Sequence, residues 1–276
     1  MKIEVLVAAM HQDDLSLPGK MNITTDVIVG NQCDHCSDEE SVMNGHNVRY
    51  FNRPDRGVGL NRNVALLHAD AEILTFADAD MIFQDDYASI ISKAFEELPN
   101  ADAIVFNIES LGAQTGRRVN HKVKRIRWYN ALNYGAARIS VRSLPIKREN
   151  ILFHTCFGGG TRFNAGEDVL FIVDMLKHGL RLYTYPVCIA QVDQTSSTWF
   201  NGYDKKFFHD KGVLFAAISQ KWHKLLCLQF LLRHRSTYQN SGISSKQAYR
   251  LMKKGAQSFR TLRAFSELSD DETEEV

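Results

Sequence analysis

The sequence predicts an α/β fold, with a mostly parallel central sheet covered by helices on both faces and a helical extension behind it. Three observations carry that prediction. Short apolar runs alternate with helix-like stretches over the first 110 residues. The runs are almost continuously apolar, as strands buried on both faces require. Near residue 200 the chain changes character and becomes helical and strongly basic.

Taken in order, the expected strands are Ile3–Ala9, Asp26–Gly30, Asn47–Phe51, Glu72–Ala77 and Ala103–Ile108. Helices are expected at Gly59–Ala69, where Leu60, Val64 and Leu67 share a face, and at Asp86–Leu98, where Ile90, Ile91, Ala94, Phe95 and Leu98 recur at helical spacing. Pro99-Asn100 stops the second. Residues 109–135 read as a mobile basic connection, with Arg117, Arg118, His121, Lys122, Lys124, Arg125 and Arg127 ahead of Trp128 and Tyr129. Strands are expected again at Ala136–Val141 and Ile151–Thr155, then a helix at Glu167–Lys177, then strands at Arg181–Tyr185 and Val187–Val192. The extension reads as two helices, Gly212–Leu232 and Ser245–Phe259, and residues 269–276 read as disordered.

Composition narrows the function. With 44% apolar and 24% charged residues in 276, the chain is neither disordered nor fibrous. The net charge of +1 hides a split. Residues 201–264 hold 13 Lys or Arg against Asp204 and Asp210, the last ten residues hold six acids, and residues 1–200 hold 20 bases against 24 acids. A basic block of that kind marks a partner. No nucleic-acid motif accompanies it, so an anionic cytoplasmic leaflet is the expected partner. Leu225, Leu226, Leu228, Phe230, Leu231 and Leu232 would supply the apolar side of an interfacial helix, and packing on the α/β body is the other reading. No run approaches the roughly 18 apolar residues of a membrane-spanning helix. The first apolar run is short and carries Glu4, unlike a signal peptide. Five cysteines at irregular spacing favour a reducing cytoplasm, and Cys33-Asp34-His35-Cys36 reads as a loop after a strand.

The string with most chemistry is Phe76-Ala77-Asp78-Ala79-Asp80. Carboxylates at i and i+2 at a strand end can lean to one side and share a hard divalent cation. Two solvated acids, or a phosphatase-like nucleophile and acid, would leave the same string. Upstream, Arg56-Gly57-Val58-Gly59-Leu60-Asn61-Arg62-Asn63 opens a helix whose N-terminus suits a diphosphate. Downstream come Gly158-Gly159-Gly160 and Gly166-Glu167-Asp168. In this order the strings resemble the inverting glycosyltransferase family 2, with its GT-A fold, over about residues 3–192, and look closest to bacterial capsular and exopolysaccharide enzymes.

The resemblance implies a body at 1–200, with a nucleotide-sugar half at about 1–110 and an acceptor half at about 136–200, then a basic helical extension at 201–266 and an acidic tail at 267–276. It implies a Mn²⁺ or Mg²⁺ ion held by Asp80, with Asp78 on the ribose or a metal-bound water. Arg62 is expected on the ribose-diphosphate side, with Arg56 as a second candidate. Asp168 would be the general base, and Glu167, Gly159 and Gly160 would meet the acceptor. Ala8 and Met10 would lie against the base, and Asn31 or Gln32 would bond a uracil, which makes a UDP-sugar the expected donor and a purine nucleotide the alternative. Asp193 stands where relatives carry a third metal ligand. The expected acceptor is a glycan or a polyprenyl-diphosphate-linked sugar. The different-class alternative is an inactive GT-A-like scaffold that holds a nucleotide or glycan.

Overall fold

The computed structural model describes residues 1–111, 119–193, 202–261, 263 and 265–268. Those residues divide between two compact units, Met1–Thr155 with Glu167–Ser196, and Cys156–Gly166 with Ser197–Val276. Residues 156–166, read from the sequence as part of the body, thus cluster with the C-terminal helices.

The first unit is a ten-stranded sheet. Its strands are β1 (Ile3–Met10), β2 (Asp26–Gln32), β3 (Ser37–Met43), β4 (His46–Arg53), β5 (Ile73–Asp78), β6 (Met81–Phe83), β7 (Ala103–Leu111), β8 (Lys124–Arg125), β9 (Ile139–Arg142) and β10 (Leu182–Asp193). They lie in the order β3-β4-β2-β1-β5-β9-β7-β10-β6, with β8 beside β10. β4, β2, β1 and β5 are mutually parallel, as are β7 and β10. β9 enters antiparallel between β5 and β7, so all six run in one direction. At that junction Thr75 and Ser140, both fully buried, satisfy each other with a 2.9 Å hydroxyl contact.

Alternation on these strands builds two apolar layers. Val5, Val7, Val27, Val29, Ile104 and Phe106 face one side, where α3 (Tyr87–Glu97) covers them with Ile91 and Phe95. Leu6, Ile28, Leu74, Phe76 and Val105 face the other, under α2 (Val58–His68) and α5 (Glu167–Lys177). Two short helices, α1 (Leu17–Lys20) and α4 (Ser143–Arg148), complete the unit. Glu4, the acid inside the first apolar run, is 2% exposed; Arg49 donates to it at 2.8 Å, as does the Asp70 amide at 3.0 Å.

Several expectations change. Arg181–Tyr185 and Val187–Val192 form one strand with register shifts between Thr184 and Ala190, where Pro186 cannot donate to the ladder. Of the run expected at Ala136–Val141 the last three residues are strand, in β9, which runs on to Arg142 and is preceded by a 3-10 turn at Ala136–Arg138. Ile151–Thr155 forms no strand, because the amide and carbonyl of Phe153 bond the Asn63 side chain, each at 2.8 Å. β3, too polar to read as a strand, hydrogen-bonds along the edge of β4.

In the second unit the helix expected at Gly212–Leu232 is two. α6 (Lys205–Ile218) starts earlier, capped by Asp204, which accepts the Phe207 amide at 2.6 Å. It stops at extended Ser219, and α7 (His223–Arg233) starts afresh, followed by α8 (Arg235–Tyr238) and α9 (Ser245–Thr261). α6 and α9 touch backbone to backbone: a Cβ on Gly212 would stand 2.0 Å from the Met252 carbonyl oxygen, and one on Gly255 1.9 Å from that of His209. His209, fully buried there, has its nitrogens 3.0 Å from Asp210 Oδ1 and from Ser258 Oγ. Among the described residues, no helix is long and apolar enough to cross a membrane.

Candidate active site

The parallel strands end together. Ala8 of β1 pairs with Gly30 of β2 and Asp78 of β5, Ala9 with Asn31, and Met10 with Gln32. Ala8, Met10, Asn31, Gln32 and Asp78 therefore share the carboxyl edge of the sheet, where parallel sheets bind ligands.

α2 approaches this edge because its sequence lets it. A Cβ on Gly30 would lie 1.9 Å from Asn61 Oδ1, and one on Gly59 would lie 2.8 Å from the His154 carbonyl oxygen. With both absent, Asn61 reaches the sheet and donates to the Ala9 carbonyl at 3.0 Å, while Asn63 clamps Phe153. Between these asparagines stands Arg62. Its Nη2 donates to Asp78 Oδ1 at 2.7 Å, and its Nη1 to Asp168 Oδ1 at 2.6 Å and Glu167 Oε1 at 3.2 Å. The guanidinium also lies over the Phe153 ring, 5.4 Å from its centroid.

The electrostatics follow from that crowding. Burial pulls the Arg62 pKa down, but Asp168, Asp78 and Glu167 outweigh it and hold the guanidinium above its ordinary value. Glu167 moves the other way. Burial first, and the Asp168 charge second, push its carboxyl up to about 7, against the opposing pull of Arg62. Asp168 keeps one oxygen, Oδ1, on Arg62; the other, Oδ2, lies beside Gly135, where a Cβ would come within 3.0 Å of it.

The residues expected in the site are placed as follows. Arg62, expected on the ribose-diphosphate side, is 4% exposed with both Nη atoms on carboxylates, so in this structure it organises the acids. Asn31 is 1% exposed, and its amide hydrogens go to the Gln12 carbonyl and Asn52 Oδ1, so it clamps the loop after β1. Gln32 donates to the Asp55 carbonyl at 3.2 Å. Asp78 closes β5 but Asp80 sits on the turn beyond it, so a turn rather than strand alternation places the pair. Arg56 is exposed on the loop before α2. Gly159 and Gly160 are exposed in the 156–166 loop of the second unit. His154 pairs with Asp174 at 2.8 Å. The Asp193 side chain, Arg117, Arg118 and residues 269–276 lie outside the described residues.

The donor set suits a divalent cation. Arg62 offsets one of three carboxylates, Asp78 leaves Oδ2 off Arg62, and Asp80 adds an exposed hard-oxygen donor. Among the described residues the one three-residue group that could hold a metal is Cys33, Asp34 and His35, in the turn between β2 and β3. Gly30, Gly135 and Phe153 went unnoticed in the sequence: nothing local marks a glycine or aromatic ring that matters through a distant neighbour.

Residues 32–168 match the family model described as glycosyl transferase family 2. The match runs from the end of β2 to Asp168 and takes in Arg62, Asp78, Asp80 and Glu167. A comparison with curated proteins finds no match to the sequence. Among solved structures, S. aureus TarS 1–349 in complex with UDP-GlcNAc matches with a TM-score of 0.66 at 15% identity, over 94% of this chain and 81% of that one. The UDP complex matches with a TM-score of 0.64 at 14% identity, over 95% and 90%. TarS itself matches with a TM-score of 0.64 at 14% identity, over 99% of this chain and 50% of its own. The architecture shared with these structures is the GT-A fold, here with C-terminal helices.

Proposed function

We propose that the chain is a metal-dependent inverting glycosyltransferase. It moves a sugar from a nucleotide-sugar, a UDP-sugar, to a glycan or lipid-linked acceptor in bacterial surface-polysaccharide assembly. One observation carries the reading: a family-2 match that spans a buried arginine gathering Asp78 from β5 and Glu167 and Asp168 from α5. The UDP and UDP-GlcNAc complexes of TarS, which shares the fold, support the donor class.

In this reading Asp80, with Asp78, holds Mn²⁺ or Mg²⁺, which supplies Lewis-acid neutralisation of the departing diphosphate. Arg62 fixes the Oδ1 side of Asp168, so Oδ2 accepts the proton of the acceptor hydroxyl. As the acceptor hydroxyl oxygen bonds the anomeric carbon, the bond from that carbon to the nucleoside diphosphate breaks and its electron pair leaves with the diphosphate. A single displacement inverts the anomeric centre. Glu167, protonated in part near neutrality, orients the acceptor by hydrogen bonding without adding a full charge.

The test is release of UDP from a panel of UDP-sugars with Mn²⁺ and acceptor glycans. Tight UDP binding without turnover across the panel would make the chain a scaffold. A peripheral position on the cytoplasmic leaflet belongs to the same reading, and the face of α7 that exposes Leu225, Leu228 and Leu232 beside Trp222 and Lys224 supports it. Co-sedimentation with anionic vesicles should fall when the three leucines become serine; unchanged sedimentation, or none at low salt, refutes that placement.

A further inference from the structure

Within the second unit, α6, α7 and α9 border a cavity of about 470 Å³. Its lining includes Lys221, His223, Lys224, Lys253 and Arg260, and no aspartate or glutamate. Lys253 and Arg260 lie two turns apart on α9 with Ala256 between them, which leaves the space near the helix open. Lys221, His223 and Lys224 come from the start of α7, whose first turn has no side-chain cap, so the positive end of that helix adds to the field.

Four cations in one concavity repel one another. Two bases elsewhere in the unit do find acids: Lys206 pairs with Asp210, and Arg162 with Glu267. Among the described residues, none of Lys221, Lys224, Lys253 and Arg260 forms an ion pair. Small-molecule sites run from about 300 to 1,000 Å³, so the space suits a ligand bearing one or two phosphates.

We propose that this cavity is a phosphate site, binding the mono-, di- or diester phosphate of a ligand held by the C-terminal helices. The site does not depend on the transfer reaction. Charge-assisted contacts from a guanidinium and ammonium groups would supply the recognition.

The experiment is calorimetric titration of the full chain with pyrophosphate, without divalent metal and at low salt. The double variant Lys224→Gln/Arg260→Gln should bind about tenfold or more weakly, and Asp80→Asn should bind as the unmodified chain does. Retained UDP binding and helical circular dichroism in the double variant show that it folds; should it not, Lys253→Gln takes its place. No binding at low salt, binding unchanged in the double variant, or binding lost in Asp80→Asn overturns the proposal. Vesicles of phosphatidylglycerol and of phosphatidylcholine separate the sources. Sedimentation with the former, lost in the double variant, identifies a lipid headgroup. Pyrophosphate binding without sedimentation identifies a soluble phosphate ester.

Discussion

Arg62 Nη1 stands 2.6 Å from Asp168 Oδ1, although 106 residues separate the two in sequence. The same guanidinium reaches Asp78 with its other nitrogen, so one side chain on α2 sets the spacing between the end of β5 and the start of α5. Removing it leaves acids facing one another with no counter-charge. Arg62→Met should therefore destabilise the chain by about 3–5 kcal/mol, read from urea unfolding. Arg62→Lys should recover only part of that, because a point charge cannot fork to three carboxylates. A full rescue by lysine would mean that charge alone, and not the fork, holds the site.

Asp168→Asn keeps the shape and removes the base. UDP affinity measured by calorimetry should stay within about twofold, while transfer falls by about 10²-fold or more. Parallel losses of binding and transfer would assign Asp168 to the donor site.

Glu167 gives the site a pH dependence of stability. Burial and the Asp168 charge push its folded carboxyl up to about 7, above its ordinary value of 4.5, so between those pH values the folded state holds more protons than the unfolded one. Stability then falls as pH rises through this window, by at most about 3 kcal/mol. Unfolding of Glu167→Gln should lose that slope between pH 5 and 8. A variant with the same slope as the unmodified chain would place its origin elsewhere.

The metal reading rests on Asp80. Asp80→Asn should weaken UDP binding in Mn²⁺ and leave binding in EDTA unchanged. Equal UDP affinity with and without Mn²⁺ in the unmodified chain would remove the metal from the mechanism.

The α6–α9 contact offers a test away from the acids. Gly255→Ala would force a methyl group into the His209 carbonyl, which neither helix backbone can evade. A loss of about 1–3 kcal/mol is expected from overpacking alone, measured by thermal unfolding. An unshifted melting temperature would show that the helices can part freely.

Much of the fold was legible in residue order. α5 begins and ends where its apolar spacing and His178-Gly179 place it, β1, β2, β4 and β7 contain the runs expected of them, and β5 contains all of its run but Glu72, because strands buried on both faces are apolar along most of their length. The strings that mark the site were legible too, since Arg62, Asp78 and Asp168 stand in short motifs. What they do to each other was not. The sequence by itself determined a parallel α/β body with acids at strand and helix ends, and a basic helical segment behind it. Only the tertiary structure decided that Arg62 is buried among those acids, that Asn31 is consumed by the Gln12 loop, and that Asn63 takes the place of a strand partner for Phe153. Local pattern reports which face a residue buries. Which charge it meets there is set by the crossing of α2 with α5 and β5, and no window of neighbouring residues contains that crossing.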